Sequence, residues 1–194
     1  MSSPIGHSLS GWVIASYRSR SLKPVNIKNL QRLALYIFIA NAPDLDFIPG
    51  ALMGTPNLYH HGISHSLGTG LIFALVLALI LTWKDKALFG REFVFMFVIF
   101  SSHLVLDLLS VDGRPPMGIP LFWPLSNQYF MIPILPPVMH SVLDHATIIQ
   151  FLADVFSLHN LYVVGLEILL TVPFIFMIHF IIKQRTVETN NQKG

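Results

Sequence analysis

The sequence predicts an all-α fold: an integral membrane helix bundle of about five spanning or partly spanning helices, with one further helix lying at the interface. Three observations carry this. Hydrophobic residues make up 53% of the 194 positions and charged residues 11%, whereas roughly a quarter of a soluble domain is charged. Three stretches, residues 64–83, 93–109 and 161–182, are apolar and close to the ~20 residues that a helix of ~1.5 Å rise needs to span a bilayer core. Between the last two, residues 110–140 hold Pro115, Pro116, Gly118, Pro120, Pro124, Pro133, Pro136 and Pro137, which marks an ordered surface loop and not another span.

Two shorter apolar segments come first. Residues 4–17 open on Pro4 and residues 29–41 close before Pro43, as helices that begin and end at proline do. Each is too short to cross alone and long enough to cross when packed. Arg18 and Arg20 follow the first apolar stretch instead of preceding it, so that stretch does not read as a cleavable leader. In residues 146–158, Ile148, Ile149, Leu152, Val155 and Phe156 recur at helical spacing, the pattern of an amphipathic interfacial helix. Residues 1–183 therefore form a single membrane domain, and the polar residues 184–194 are expected to be a disordered tail.

Placing alternate connections on opposite sides of the membrane splits the basic residues unevenly. Arg18, Arg20, Lys23, Lys28, Arg32, Lys84, Lys86, Arg91, Lys183, Arg185 and Lys193 fall on one side and Arg114 alone on the other. Cytoplasmic loops carry the excess of Lys and Arg. The N-terminus and the loops at 43–63 and 110–160 are thus expected to face away from the cytoplasm, provided both short helices cross. The same basic residues flank apolar segments and form no stripe with interleaved aromatics, which argues against nucleic acid as a partner.

With zero cysteines, any bound metal must take nitrogen and oxygen ligands. His103 and Asp107 stand four apart in an otherwise uncharged span and so share a helical face. Ionisable groups at that depth are costly and usually functional; the competing reading is a hydrogen bond that ties helices together. "NAPDLDFIPG" places Asp44 and Asp46 just past a helix end, where they also make ordinary turn residues. "YHHGISHS" carries His60, His61 and His65, with His61 and His65 on one face if the helix starts early, and Ser64 or Ser66 as its cap. His7 begins the first helix. In an up-and-down bundle all of these lie at the same end, and a mixed His/Asp set suits zinc, or manganese or iron. "MHSVLDH" adds His140, Asp144 and His145 on that side, enough for a second metal. His159 and His179 read as structural residues, and Glu167 has no role legible in the sequence.

Taken together, "IGHS", "APDLD", "HHGISHS", "HLVLD" and "GIPLFWPL" resemble, in this order and over residues 4–126, the YdjM family of bacterial inner-membrane proteins. That resemblance implies a LexA-regulated, membrane-bound, metal-dependent hydrolase in the inner membrane. The family has His-Arg-Gly where this chain has His60-His61-Gly62, so His60 takes the family's histidine and His61 replaces its arginine. The order His, Asp, His, His-x-x-x-Asp is also similar to the zinc-dependent phospholipase C and zinc-nuclease superfamily, with His140 and Asp144 in the place of its His-x-x-x-Glu.

The expected activity is hydrolysis assisted by a divalent metal, on a phosphoester or lipid-linked substrate at the extracytoplasmic face. The expected ligands are His7, Asp46, His60, His65, His103 and Asp107, with the His140 and Asp144 pair beside them. Asp44 is the expected general base or anchor of a ligand, and Asp112 is expected to lie outside the cluster. A divalent-metal transporter would use the same side chains but needs polar residues further along the spans. A haem protein needs facing histidines, which His65 and His103 offer, and leaves the aspartates without a role.

Overall fold

A computed structural model of the chain describes residues 2–19, 27–53, 58–113, 115–138 and 156–191. Every regular element among them is helical: α1 (Pro4–Ser19), α2 (Ile27–Ala40), α3 (Phe47–Leu52), α4 (Leu67–Leu81), α5 (Phe89–Leu109) and α6 (Leu158–Asn191), with short 3₁₀ turns at Ala42–Asp46, Ile63–His65 and Lys86–Leu88. The predicted interfacial helix falls mostly on residues outside this description. The last helix continues to Asn191, past the point where the sequence places the tail.

The segments Lys86–Leu109 and Leu158–Ile181 are long and apolar enough to cross a membrane, and Leu67–Leu81 is apolar but shorter. α4 shows how such a helix packs. Gly70, Ala74 and Ala78, four residues apart, are buried, while Leu71, Ile72, Leu75, Val76, Leu79 and Ile80 are exposed. Small residues inward and large apolar residues outward is the pattern of a helix that meets lipid on its outer face. At Gly70 a Cβ would stand 2.7 Å from the Phe100 ring, so α4 and α5 approach only because that position is bare. α1 and α2 meet in the same way at Gly11, where a Cβ would stand 2.9 Å from the Tyr36 carbonyl oxygen.

The core that these contacts enclose contains Tyr36, Ile39, Met96, Ile99, Phe100 and Leu104. It fixes the relative heights of α1, α2, α4 and α5. The proline-rich loop then folds back over their ends without a strand of its own. The Leu67 N–H donates to the Leu121 carbonyl (2.9 Å) and the Leu135 N–H to that of Leu109 (2.8 Å). Gly118 turns the loop in the left-handed region (φ 92) against the Phe130 carbonyl, where a Cβ would collide. These contacts hold the start of α4 beside the end of α5.

Candidate metal centre

Four elements deliver the site. α2 ends at Ala40 and the chain turns through Asn41 into the 3₁₀ turn that carries Asp44 and Asp46. A second 3₁₀ turn, Ile63–His65, precedes α4, whose N-cap is Ser66: its Oγ accepts from the Thr69 N–H at 3.1 Å. The helix therefore starts too late to hold His61 and His65 on one face. A tight turn with His61 in the left-handed region (φ 61) brings them together instead. α5 supplies His103 and Asp107, and α1 supplies His7.

Four ligand atoms converge. His103 Nε2 lies 3.2 Å from His65 Nε2 and 2.9 Å from Asp107 Oδ2. His65 Nε2 is 3.5 Å from Asp107 Oδ2, and Asp44 Oδ1 is 3.4 Å from both Nε2 atoms. These five distances average about 3.3 Å, and the four ligand atoms all lie within 4.8 Å of one another; in a regular tetrahedron of about 3.3 Å edge the centre is about 2.0 Å from each corner, the length of a zinc–nitrogen or zinc–oxygen bond.

The hydrogen bonds turn the two Nε2 atoms toward the centre. His103 Nδ1 is 2.7 Å from the Ala40 carbonyl, which can only accept, so Nδ1 carries a hydrogen and Nε2 is the atom that faces the carboxylates. His65 Nδ1 lies 3.2 Å from Asp46 Oδ2 and 3.0 Å from Ser64 Oγ, whose own proton goes to Asp46 at 2.5 Å. Its Nε2 likewise faces the centre. Two Nε2 atoms and two carboxylate oxygens thus face one another, with His65 and His103 fully buried, Asp107 2% exposed and the Asp44 side chain 28% exposed. Asp107 Oδ2 has no hydrogen-bond partner. Uncompensated acceptors of this kind cost several kcal/mol, and a divalent cation satisfies all four at once. The donor set and its dimensions fit such an ion.

The surrounding field points the same way. Burial drives His65 toward its neutral form, yet Asp44 and Asp46 hold its pKa above the ordinary value. Burial raises Asp44 and Asp46 as well, but the histidines beside them hold both carboxyls well below the usual range. Positive charge is what this pocket attracts.

The remaining predicted residues surround the four. Asp46 faces the two Nδ1 atoms of His60 (3.0 Å) and His65 and lies away from the Nε2 atoms. His7 stacks on His103 with ring centroids 3.6 Å apart, and its Nε2–H donates to Ser2 Oγ at 2.7 Å. Ser2 in turn donates from its N–H and Oγ–H to Asp107 Oδ1, each at 3.0 Å. His140 and Asp144 lie outside the described residues. His159, bound to the Pro137 carbonyl at 2.8 Å, and exposed His179 stand apart from the cluster.

Sequence reasoning missed three participants. Asp112 accepts from His61 Nδ1 at 2.8 Å, so it does not lie outside the cluster; its signal was an acid just past a helix end and before Gly113. Burial holds the His61 imidazole below its ordinary pKa although Asp112 opposes this. Ser2 carries no signal that a sequence could show. Glu167, fully buried on α6, binds the Ser3 N–H at 2.6 Å and the Ser3 hydroxyl. It thereby fixes the turn that presents Ser2 and His7.

With the geometry in place, comparison with known proteins identifies the lineage. The model of the family described as YdjM inner membrane protein matches residues 1–186. The chain belongs to the YdjM family. The match extends beyond the motifs at residues 4–126 to include most of α6. No curated protein and no solved structure matches the chain.

Proposed function

We propose that this YdjM-family chain is a membrane-bound, metal-dependent hydrolase, with one divalent ion held by Asp44, His65, His103 and Asp107. The observation that carries the reading is the convergence of four potential ligand atoms, two imidazole Nε2 and two carboxylate oxygens, with five of their separations at 2.9–3.5 Å. An ion bound there supplies the Lewis acidity that activates water and polarises a phosphoryl or carbonyl oxygen. The protein's own residues orient and hold. In this assignment Asp44 is a ligand, and Asp46 anchors His60 and His65 through their Nδ1 hydrogens, which exchanges the roles expected from the sequence. The Ala40 carbonyl does the same for His103. Asp44, whose side chain is 28% exposed, is the ligand nearest to water and marks the side from which substrate enters.

The substrate class is a phosphoester or lipid-linked molecule reached from the extracytoplasmic side. Ile48, Leu52, Met53, Leu58 and Ile63 are exposed on the segments that carry the site, an apolar rim suited to acyl chains. Haem fits poorly: the Nε2 atoms of His65 and His103 are 3.2 Å apart, while two axial bonds of about 2.0 Å each need about 4 Å.

Activity is tested with Asp107→Asn, which keeps size and removes the charge. Release of phosphate or headgroup from lipid phosphoesters in mixed micelles with zinc or manganese should fall tenfold or more, together with metal affinity, while Asp85→Asn retains both. An Asp107→Asn protein that keeps its metal and only melts earlier would make His103 and Asp107 a structural pair. Orientation is tested by single cysteines: Asn127→Cys should react with an impermeant reagent in intact cells and Asp85→Cys should not. The reverse would mean that a short helix fails to cross.

A further inference from the structure

His61 is a buried group that the four-ligand centre does not use. It is 6% exposed, and its left-handed backbone is a conformation that a residue with a side chain adopts rarely. The contact of Nδ1 with Asp112 Oδ2 at 2.8 Å places the hydrogen on Nδ1, because a carboxylate only accepts. Nε2 therefore presents a lone pair. That atom is buried without a hydrogen-bond partner, as is Asp107 Oδ2, and the two face each other across 4.0 Å. Two acceptors in this arrangement repel, yet backbone conformation and the Asp112 contact both hold His61 there.

An ion fits between them. Metal–nitrogen and metal–oxygen bonds of about 2.0–2.2 Å reach from either atom to the middle of that gap. His60 brings a further ring: one ligand atom from each of His60, His61 and His65 lies within 4.8 Å of the others. His65 belongs to this set and to the set of Asp44, His103 and Asp107, so the two groups of ligands adjoin.

We propose that His61 holds a second divalent ion beside the first, with Asp107 Oδ2 as the oxygen shared between the two and the His60 ring alongside His61. The proposal rests on the reading of the Asp44, His65, His103 and Asp107 set as a metal centre, and it narrows the substrate. Paired ions about 3.5–4 Å apart stabilise the attacking and the leaving oxygen of an in-line displacement at phosphorus. A phosphoester is thus favoured over a carboxylic ester or amide. Asp112 is the positioning residue that takes the Nδ1 hydrogen of His61 and so aims Nε2 inward.

The experiment counts ions. The full chain, purified in detergent, is stripped with chelator, dialysed against manganese(II) chloride and analysed for manganese per chain and by electron paramagnetic resonance. Wild type should hold two ions with a spin-coupled signal. His61→Ala and His61→Gln should each hold one, with the signal of an isolated ion and phosphodiester hydrolysis at least tenfold slower. One ion in wild type and in both variants would overturn the proposal and leave the single-ion hydrolase standing. Two ions in all three proteins would place the second ion away from His61 and overturn it as well. No ion in wild type would remove this proposal and the reading beneath it. His61→Gln, whose amide can still donate to Asp112, carries the test if His61→Ala fails to fold.

Discussion

The two ends of the helix bundle each bury charge, and they do so in opposite ways. At the end away from the histidines, Arg18 on α1 meets Glu92 on α5 in a close ion pair, with the guanidinium 4.6 Å from the Phe95 ring centre and 5.8 Å from that of Tyr36. Donor meets acceptor there through Arg18 Nη2 and the charges cancel, while Arg18 Nη1 is buried without a hydrogen-bond partner. At the other end carboxylates and imidazole lone pairs meet one another, and Asp107 Oδ2, His61 Nε2 and His7 Nδ1 have no hydrogen-bond partner. Both clusters draw on α1 and α5, and the histidine end adds the 3₁₀ turns that carry Asp44, Asp46 and His65. A balanced pair fastens two helices; the His/Asp cluster in the same bundle could hold a cation.

That contrast can be broken from either side. The largest effect on stability should come from Arg18→Met, which removes the close partner of buried Glu92 and leaves it the exposed Arg91, 3.5 Å away. Losing one member of a buried pair costs about 3–5 kcal/mol, which for a chain of this size lowers the melting temperature by at least about 5 °C. Metal content should be unchanged, and Arg18→Met with Glu92→Met should recover much of the loss. A fall in bound metal would mean that the two ends are not separate devices.

Asp46→Asn should do the converse with a smaller energy. The amide cannot accept from His60, His65 and Ser64 as the carboxylate does, so both rings lose their tether. Metal affinity measured by competition with a chromogenic chelator should drop about 10- to 100-fold, with little change in melting temperature in the metal-free state. Unchanged affinity would return Asp46 to the role of an ordinary turn residue.

How much of this was legible in the sequence follows from the range of the interactions. Helices could be read because apolar segments bounded by proline and polar residues are local signals: the segment expected at 93–109 is Phe89–Leu109, and that at 29–41 is Ile27–Ala40. The gathering of His7, Asp44, His65, His103 and Asp107 at one end also followed, since alternate helix ends must meet. Which carboxylate faces the centre did not. Asp44 and Asp46 lie in a 3₁₀ turn, where at three residues per turn side chains two apart diverge by about 120°, and "APDLD" does not announce that geometry. Neither did the placement of His61 by a left-handed turn. The partners Ser2–Asp107 and Ser3–Glu167 are 105 and 164 residues apart in sequence, and no periodicity can point across such distances.

The central claim is that the acceptor cluster exists to hold a divalent ion. Elemental analysis of detergent-purified protein, before and after chelation, tests it without an assumed substrate. Wild type should carry at least one divalent ion per chain that chelator removes, and the His65→Ala, His103→Ala double mutant should carry none while remaining folded by circular dichroism. Wild-type protein that binds no zinc, manganese or iron when these are supplied, or a double mutant with the same metal content, would contradict the account.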